Sequence, residues 1–454
     1  MERAAFERLE SLIDSRFENT VQLPVAEIDR WKSQFSKVSW VLSRGFPPDI
    51  ARAIFSFHSR GCPPGPIESL VRVVELDRRN EGHMSDTLTI FIDGLPFDEL
   101  HQMPFSSGFA SQGRLVPVLG YSVNCQTQLF TGKTPDEIGF WCEWSYELDR
   151  SPFKHLKALF TLLSPLERVY VAKRVVHRFL DKLAPTESTK NIPFRYLPLF
   201  DETGHSVFSP KFDQASLLDT PGMTKFLHHQ FPNTDQLDEE IFKAAKAHIE
   251  SSDRPGHVFL TLVKIDHCSH WEGVGSKPYN EMLLENDRYI GELTEAFIAK
   301  VPDGRVFVVS DHGMANIHTG VSIDLEGHFG KPCRERYAYF TEGTILRIWI
   351  TDKSLTSEII RYVDEIEGLD RLSEDERAKQ GLTNRAFGDV IYHTPEGTQI
   401  IPSFWGPKPS AGMHGHHPSF PSQHGICLSN RAGDFQERVS ALDFYQCLSE
   451  AINE

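Results

Sequence analysis

Three hydrophobic runs, far apart in the chain, each close on an aspartate: TLTIFIDG, VFLTLVKIDHCSH and RVFVVSDHGM, with Asp93, Asp266 and Asp311. The runs are rich in β-branched residues and do not alternate with polar ones. That pattern predicts strands buried on both faces of a parallel sheet. Ligands of such sheets bind outside the carboxyl ends of the strands. If the three strands share one sheet, three carboxylates converge there. Unpaired carboxylates repel one another and are costly to desolvate, so the cluster demands cations. His270 and His312 stand at the ends of the two later runs and narrow those cations to transition metals.

The chain has 454 residues, room for one large α/β core with insertions or for separate domains. Forty per cent hydrophobic residues and a mean hydropathy of −0.33 predict a water-soluble protein with a large core. The net charge of −16 argues against a nucleic-acid or anionic-membrane surface. Seven scattered cysteines form neither a disulfide framework nor a CxxC metal site. The start, MERAAFERLESLIDSRF, is charged and amphipathic rather than a signal peptide, and no run is long enough to span a bilayer. The expected location is cytoplasmic.

Residues 1–86 read as a helical N-terminal extension, with helical spacing in ERAAFERLESLI, VAEIDRWKSQFSKVSWVL and IESLVRVVELDRR. The α/β pattern starts at Thr87 and occupies 87–145 and 251–454. RLVPVLGYS (114–122) reads as a second strand, and NCQTQLFTGK opens a short helix closed by Gly132. Between them, 146–250 reads as an inserted cap, helical in HLKALFTLLSPLERVYVAKRVVHRFLDKL. Within the core, 335–400 is a variable segment with strand-like RYAYF and TILRIWI. The strand GICLSN and a terminal helix close the chain.

Asp93-Gly94 alone is an ordinary turn after a strand. Asp311-His312-Gly313 is stronger, because adjacent side chains at a strand end can reach one ion while Gly313 lets the backbone pass close by. Asp266 and His270 offer two further ligands, expected across a turn of irregular chain; otherwise they are a helix N-cap and a surface histidine. SAGMHGHHPSF supplies another ligand, His414 or His416, with His414 preferred. Ser122 is the candidate nucleophile. It begins a helix whose free N–H groups favour an alkoxide and a phosphoryl oxygen, and a bound metal would activate its hydroxyl. Thr127 and Thr131 are competitors.

In this order, D-G, a Ser ten residues before T-G, D-x-x-x-H, D-H-G and G-x-H-G resemble the alkaline phosphatase superfamily. The branch most similar is that of the type I phosphodiesterases and nucleotide pyrophosphatases, whose T-G, P-[ED] turn and following G match LFTGKTPDEIGFW. The likeness covers about 87–145, 256–316 and 405–430. It implies one metal held by Asp93, Ser122, Asp311 and His312 and a second by Asp266, His270 and His414. It also implies zinc; manganese or another transition metal would suit the same ligands. Two positions depart from the family. Ser122 stands where nucleotide pyrophosphatases have Thr, and Cys125 where they have an Asn that binds a phosphoryl oxygen, for which the adjacent Asn124 is the substitute. A sulfatase is disfavoured, since Ser122-Val-Asn-Cys-Gln lacks the Pro and Arg that formylglycine formation requires.

The fold expected is a three-layer α/β/α sandwich with a mostly parallel central sheet. The function expected is a metal-dependent phosphoric ester hydrolase acting on a small-molecule phosphodiester or pyrophosphate through a serine nucleophile. Lys331 and Arg334, in GKPCRER, are candidate contacts for a charged substrate tail. The alternatives are a phosphotransferase or a phosphonate or phosphomonoester hydrolase with the same centre, and an inactive binding protein of the same fold. Oligomeric state is open.

Overall fold

The structure, a computed structural model, describes residues 86–183, 189 and 191–454. Apart from Asp86, the expected N-terminal helical extension therefore lies outside the described residues. Seven segments build the main sheet: β1 (Thr87–Ile92), β2 (Ser111–Val116), β3 (Met223–Phe226), β4 (His257–Leu262), β5 (Arg305–Val309), β6 (Gly425–Ser429) and β7 (Arg438–Ser440). Their order across the sheet is β7-β2-β6-β5-β1-β4-β3. Only β6 runs against its neighbours, β2 and β5. The three aspartate-bearing strands are adjacent and parallel, with β1 in the middle.

Every residue of β1, β4 and β5 is buried, as their unbroken apolar runs predict. Seven of the helices matter below: α1 (Ser122–Thr131), α2 (Lys157–Leu163), α3 (Tyr170–Leu183), α4 (Leu237–Ser251), α5 (Lys264–Glu272), α6 (Lys277–Lys300) and α7 (Ala441–Asn453). Leu88, Ile90 and Ile92 point to one face of the sheet, against Ile241 and Phe242 of α4 and Leu293 and Phe297 of α6. Phe91, Phe259 and Phe307 point to the other, against Phe130 of α1 and Phe444 of α7. Two helical layers thus cover one sheet. Each large side chain so buried contributes roughly 1.5–3 kcal/mol.

The expected second strand, 114–122, stops at Val116. Pro117 has no N–H for the ladder, and the loop after it is held elsewhere: Leu119 O accepts from Trp141 Nε1 at 2.7 Å and Asn124 Nδ2 at 3.1 Å. The expected cap, 146–250, divides. Its later part belongs to the core, because β3 pairs with β4 and α4 packs on the sheet. Its earlier part joins the segment read as variable. Phe160, Leu180, Phe194 and Tyr196 share a core with Tyr337, Phe340, Leu346 and Trp349. Those last four lie in a separate four-stranded sheet of Tyr337–Thr341, Ile345–Ile350, Val390–His393 and Asp370–Arg371. One lobe is therefore assembled from two insertions. Among the described residues no helix is long and apolar enough to cross a membrane.

Candidate functional site

The parallel register carries the aspartates to one edge of the sheet. Asp93 directly follows β1, and its N–H donates to Leu262 O at the end of β4, 2.9 Å away. Asp311 lies two residues past β5, and Asp266 lies in the first turn of α5. Asp266 and His270 thus sit four apart on one helix face rather than in irregular chain, with His270 Nε2 3.5 Å from Asp266 Oδ1. Gly94 lets these strand ends close up. It has a φ of +67°, and a Cβ there would stand 2.7 Å from Asp266 Oδ1. At Gly313 a Cβ would meet Ser422 O at 2.1 Å.

His312 Nε2 faces Asp93 Oδ1 at 3.4 Å and Asp311 Oδ2 at 3.5 Å. His414 Nε2 faces Asp266 Oδ1 at 3.8 Å, and the rings of His312 and His414 stack at 3.7 Å. Two ligand groups result, Asp93 with Asp311 and His312, and Asp266 with His312 and His414. His416 goes elsewhere: its Nδ1 lies 3.3 Å from Thr394 Oγ1. His312 Nδ1 lies 2.9 Å from Gly313 O and His270 Nδ1 2.9 Å from Gly412 O. A carbonyl can only accept, so each Nδ1 carries a proton and each ring turns its Nε2 toward the carboxylates.

This is an excess of acceptors. Asp93 Oδ1 and Asp266 Oδ1 are buried without a hydrogen-bond partner, as is His414 Nδ1. Burial pushes the Asp93 carboxyl well above the usual carboxylate range, and the charges of Asp311 and Asp266 push it further. Asp311 is raised by burial, with His312 opposing. Burial, then His312 and His270, hold the His414 imidazole well below its usual value. Converging lone pairs on carboxylate oxygen and imidazole nitrogen fit divalent metal ions.

Ser122 opens α1 and sets its Oγ 3.0 Å from His312 Nε2. Thr127 and Thr131, the competitors, spend their hydroxyls on the carbonyls of Val123 and Thr127 in their own helix. Asn124, the substitute donor, is buried and gives one amide N–H to Leu119 O at 3.1 Å. Lys331 and Arg334 are exposed beyond the open end of the Tyr337–Ile350 hairpin. The hairpin's turn, at Thr344, is the part that meets the 414 loop.

Sequence reasoning missed two residues. Gln126, one turn after Ser122 and buried, donates its amide to Asp311 Oδ2 at 3.2 Å and Asp93 Oδ2 at 3.4 Å, while its Oε1 accepts from Ser206 Oγ at 2.6 Å. Its spacing of four from Ser122 was the available signal. Tyr121 accepts from Thr344 N at 2.8 Å, and its ring packs against His414. Nothing in the local pattern marks it.

The family model "Type I phosphodiesterase / nucleotide pyrophosphatase" matches residues 87–418. Among solved structures, human ectonucleotide pyrophosphatase/phosphodiesterase 5 is similar at 13% identity and a TM-score of 0.56, covering 81% of this chain and 95% of its own. The murine counterpart is similar at 14% identity with the same coverage. Its TM-score is 0.54, and that of an inactive variant in complex with AMP is 0.55. At such identity these neighbours show a shared fold. No curated protein matches the chain. The chain belongs to the type I phosphodiesterase/nucleotide pyrophosphatase family.

Proposed function

We propose that this chain hydrolyses phosphodiester or pyrophosphate bonds with Ser122 as its nucleophile. Asp93, Ser122, Asp311 and His312 would hold one divalent metal ion, and Asp266, His270 and His414 a second. Zinc suits their oxygen and nitrogen donors. Bound there, such ions supply compensation for the carboxylates, a lowered pKa for a hydroxyl or water, and stabilisation of charge developing on phosphoryl oxygens. The observation that carries the reading is the set of partnerless acceptors, Asp93 Oδ1 and Asp266 Oδ1, beside a helix-opening serine hydroxyl.

The residues then have distinct tasks. The N-terminus of α1 places positive potential where Ser122 Oγ and a phosphoryl oxygen would carry negative charge. Ser122 Oγ gives up its proton and bonds to phosphorus as the bond to the leaving oxygen breaks; the leaving oxygen takes up a proton, and a Ser122 phosphoester remains. Water then attacks that phosphorus on the face opposite Ser122 and loses a proton, and the departing Ser122 oxygen regains one. Gly313 O and Gly412 O hold the His312 and His270 rings in one tautomer throughout.

Ser122→Ala tests the reading. We expect turnover of bis(4-nitrophenyl) phosphate to fall by at least about 10³-fold while elemental analysis still finds metal. Ser122→Thr keeps the hydroxyl and measurable activity. Full activity in Ser122→Ala, or a phosphoryl group trapped on another residue, refutes the assignment.

A further inference from the structure

Away from the site, α2 and α3 turn a row of large apolar side chains outward. Leu162 is 75% exposed, Val175 64% and Phe179 61%, and Leu159, Val169 and Val171 are exposed too. Val171, Val175 and Phe179 recur every four residues and form one stripe of α3, whose opposite side buries His177 and Leu180. Six such residues within 159–179, three of them on one stripe of α3, exceed the single exposed apolar side chains that any protein carries.

The charge around the stripe is opposite to that of the chain. Residues 150–183 hold eight Lys or Arg and two Asp or Glu, in a protein of net charge −16. Lys154, Lys157, Arg174 and Arg178 are exposed here. Outward aliphatic and aromatic side chains flanked by basic ones form the pattern of a helix lying in the plane of a lipid interface. Long basic side chains can keep their charge among headgroups while their stems cover apolar surface.

We propose that α2 and α3 dock this protein on an anionic lipid surface. A second copy fits the face poorly, because two strongly basic surfaces would have to meet. Residues 1–85 carry as many Lys and Arg as Asp and Glu, so they lack the complementary charge. The whole-chain charge, which argued against a membrane surface, conceals a local field that falls off within about 8 Å in physiological salt. The lobe also reaches the candidate centre: Asn191 Nδ2 donates to Trp405 O at 2.5 Å, and the Trp405 ring lies 4.9 Å from that of His270. Docking does not depend on the proposed chemistry and is measured without it.

The test is co-sedimentation of the full chain with vesicles of phosphatidylcholine alone or with 30% phosphatidylserine, a composition chosen for the assay. Binding is expected to the anionic vesicles, to weaken as salt rises, and to fall on the order of tenfold in Leu162→Asp/Phe179→Asp and in Lys157→Glu/Arg178→Glu. These positions are exposed, so circular dichroism should show the fold intact. No binding to anionic vesicles, or binding unchanged in both variants, overturns the proposal. So does a dimer of the free protein that either variant dissociates, since that assigns the face to a second copy.

Discussion

At the scale of single residues, the centre trades stability for binding capacity. The folded-state pKa of Asp93 lies above the value of about 3.9 in an unfolded chain. Between the two, the folded protein holds a proton that the unfolded one has lost, so this contribution is complete at low pH and disappears as pH rises through the folded value. His414 works in the opposite sense. Its depressed pKa costs stability as pH falls below about 6.5, and above that it is neutral in both states. At pH 7.5, then, only the carboxylate penalty remains. Asp93→Asn in chelated protein should raise the thermal midpoint by a few degrees while abolishing metal binding at its site. A midpoint that stays level or drops would show that the carboxylates are not under strain. Gln126 restrains the same pair of carboxylates from α1. Gln126→Met keeps the volume and loses both donors, so metal affinity in a chelator competition should fall about 10–100-fold. Unchanged affinity would reduce Gln126 to packing.

Among elements, the junction of α1 with the 414 loop matters most. Tyr121 immediately precedes Ser122, and its hydroxyl meets Thr344 at the turn of the Tyr337–Ile350 hairpin. Thr344 Oγ1 in turn donates to Gly415 O at 2.8 Å, next to His414. A single phenol thereby ties the candidate nucleophile to His414, a proposed ligand of the second ion. Tyr121→Phe leaves the buried Thr344 N–H unpaired, a cost of about 1–3 kcal/mol. The urea midpoint should drop at constant slope, and amide exchange at 414–416 should quicken. Normal exchange there would separate the tyrosine from the loop.

For the whole molecule, the sign of charge around the centre bears on substrate. Among the described residues, the hydrogen bonds and ion pairs of Asp93, Asp266, Asp311, His312 and His414 involve no Lys or Arg. A phosphomonoester dianion brings an additional charged oxygen that needs a cationic partner, whereas a diester brings an ester group instead. We expect kcat/KM for bis(4-nitrophenyl) phosphate to exceed that for 4-nitrophenyl phosphate. The reverse ranking would make phosphomonoesterase the better description.

The strands of the central sheet could be read from sequence because burial on both faces leaves unbroken apolar runs. The aspartates were legible with them, since a parallel sheet puts every strand's carboxyl end on one side. Helix closure at Gly132 was equally local, with a φ of +67° that glycine adopts without strain. Other features depended on contacts between residues remote in sequence. The second strand ends early because Leu119 O is captured by Trp141 and Asn124. One stretch read as a cap divides between the sheet and a lobe shared with residues 337–393, because its two parts bury their apolar faces on different partners. Gln126 and Tyr121 gain their roles from Ser206, Asp311 and Thr344, each far away along the chain. Periodicity records which face of an element is buried; the partner that buries it is chosen only when the chain has folded.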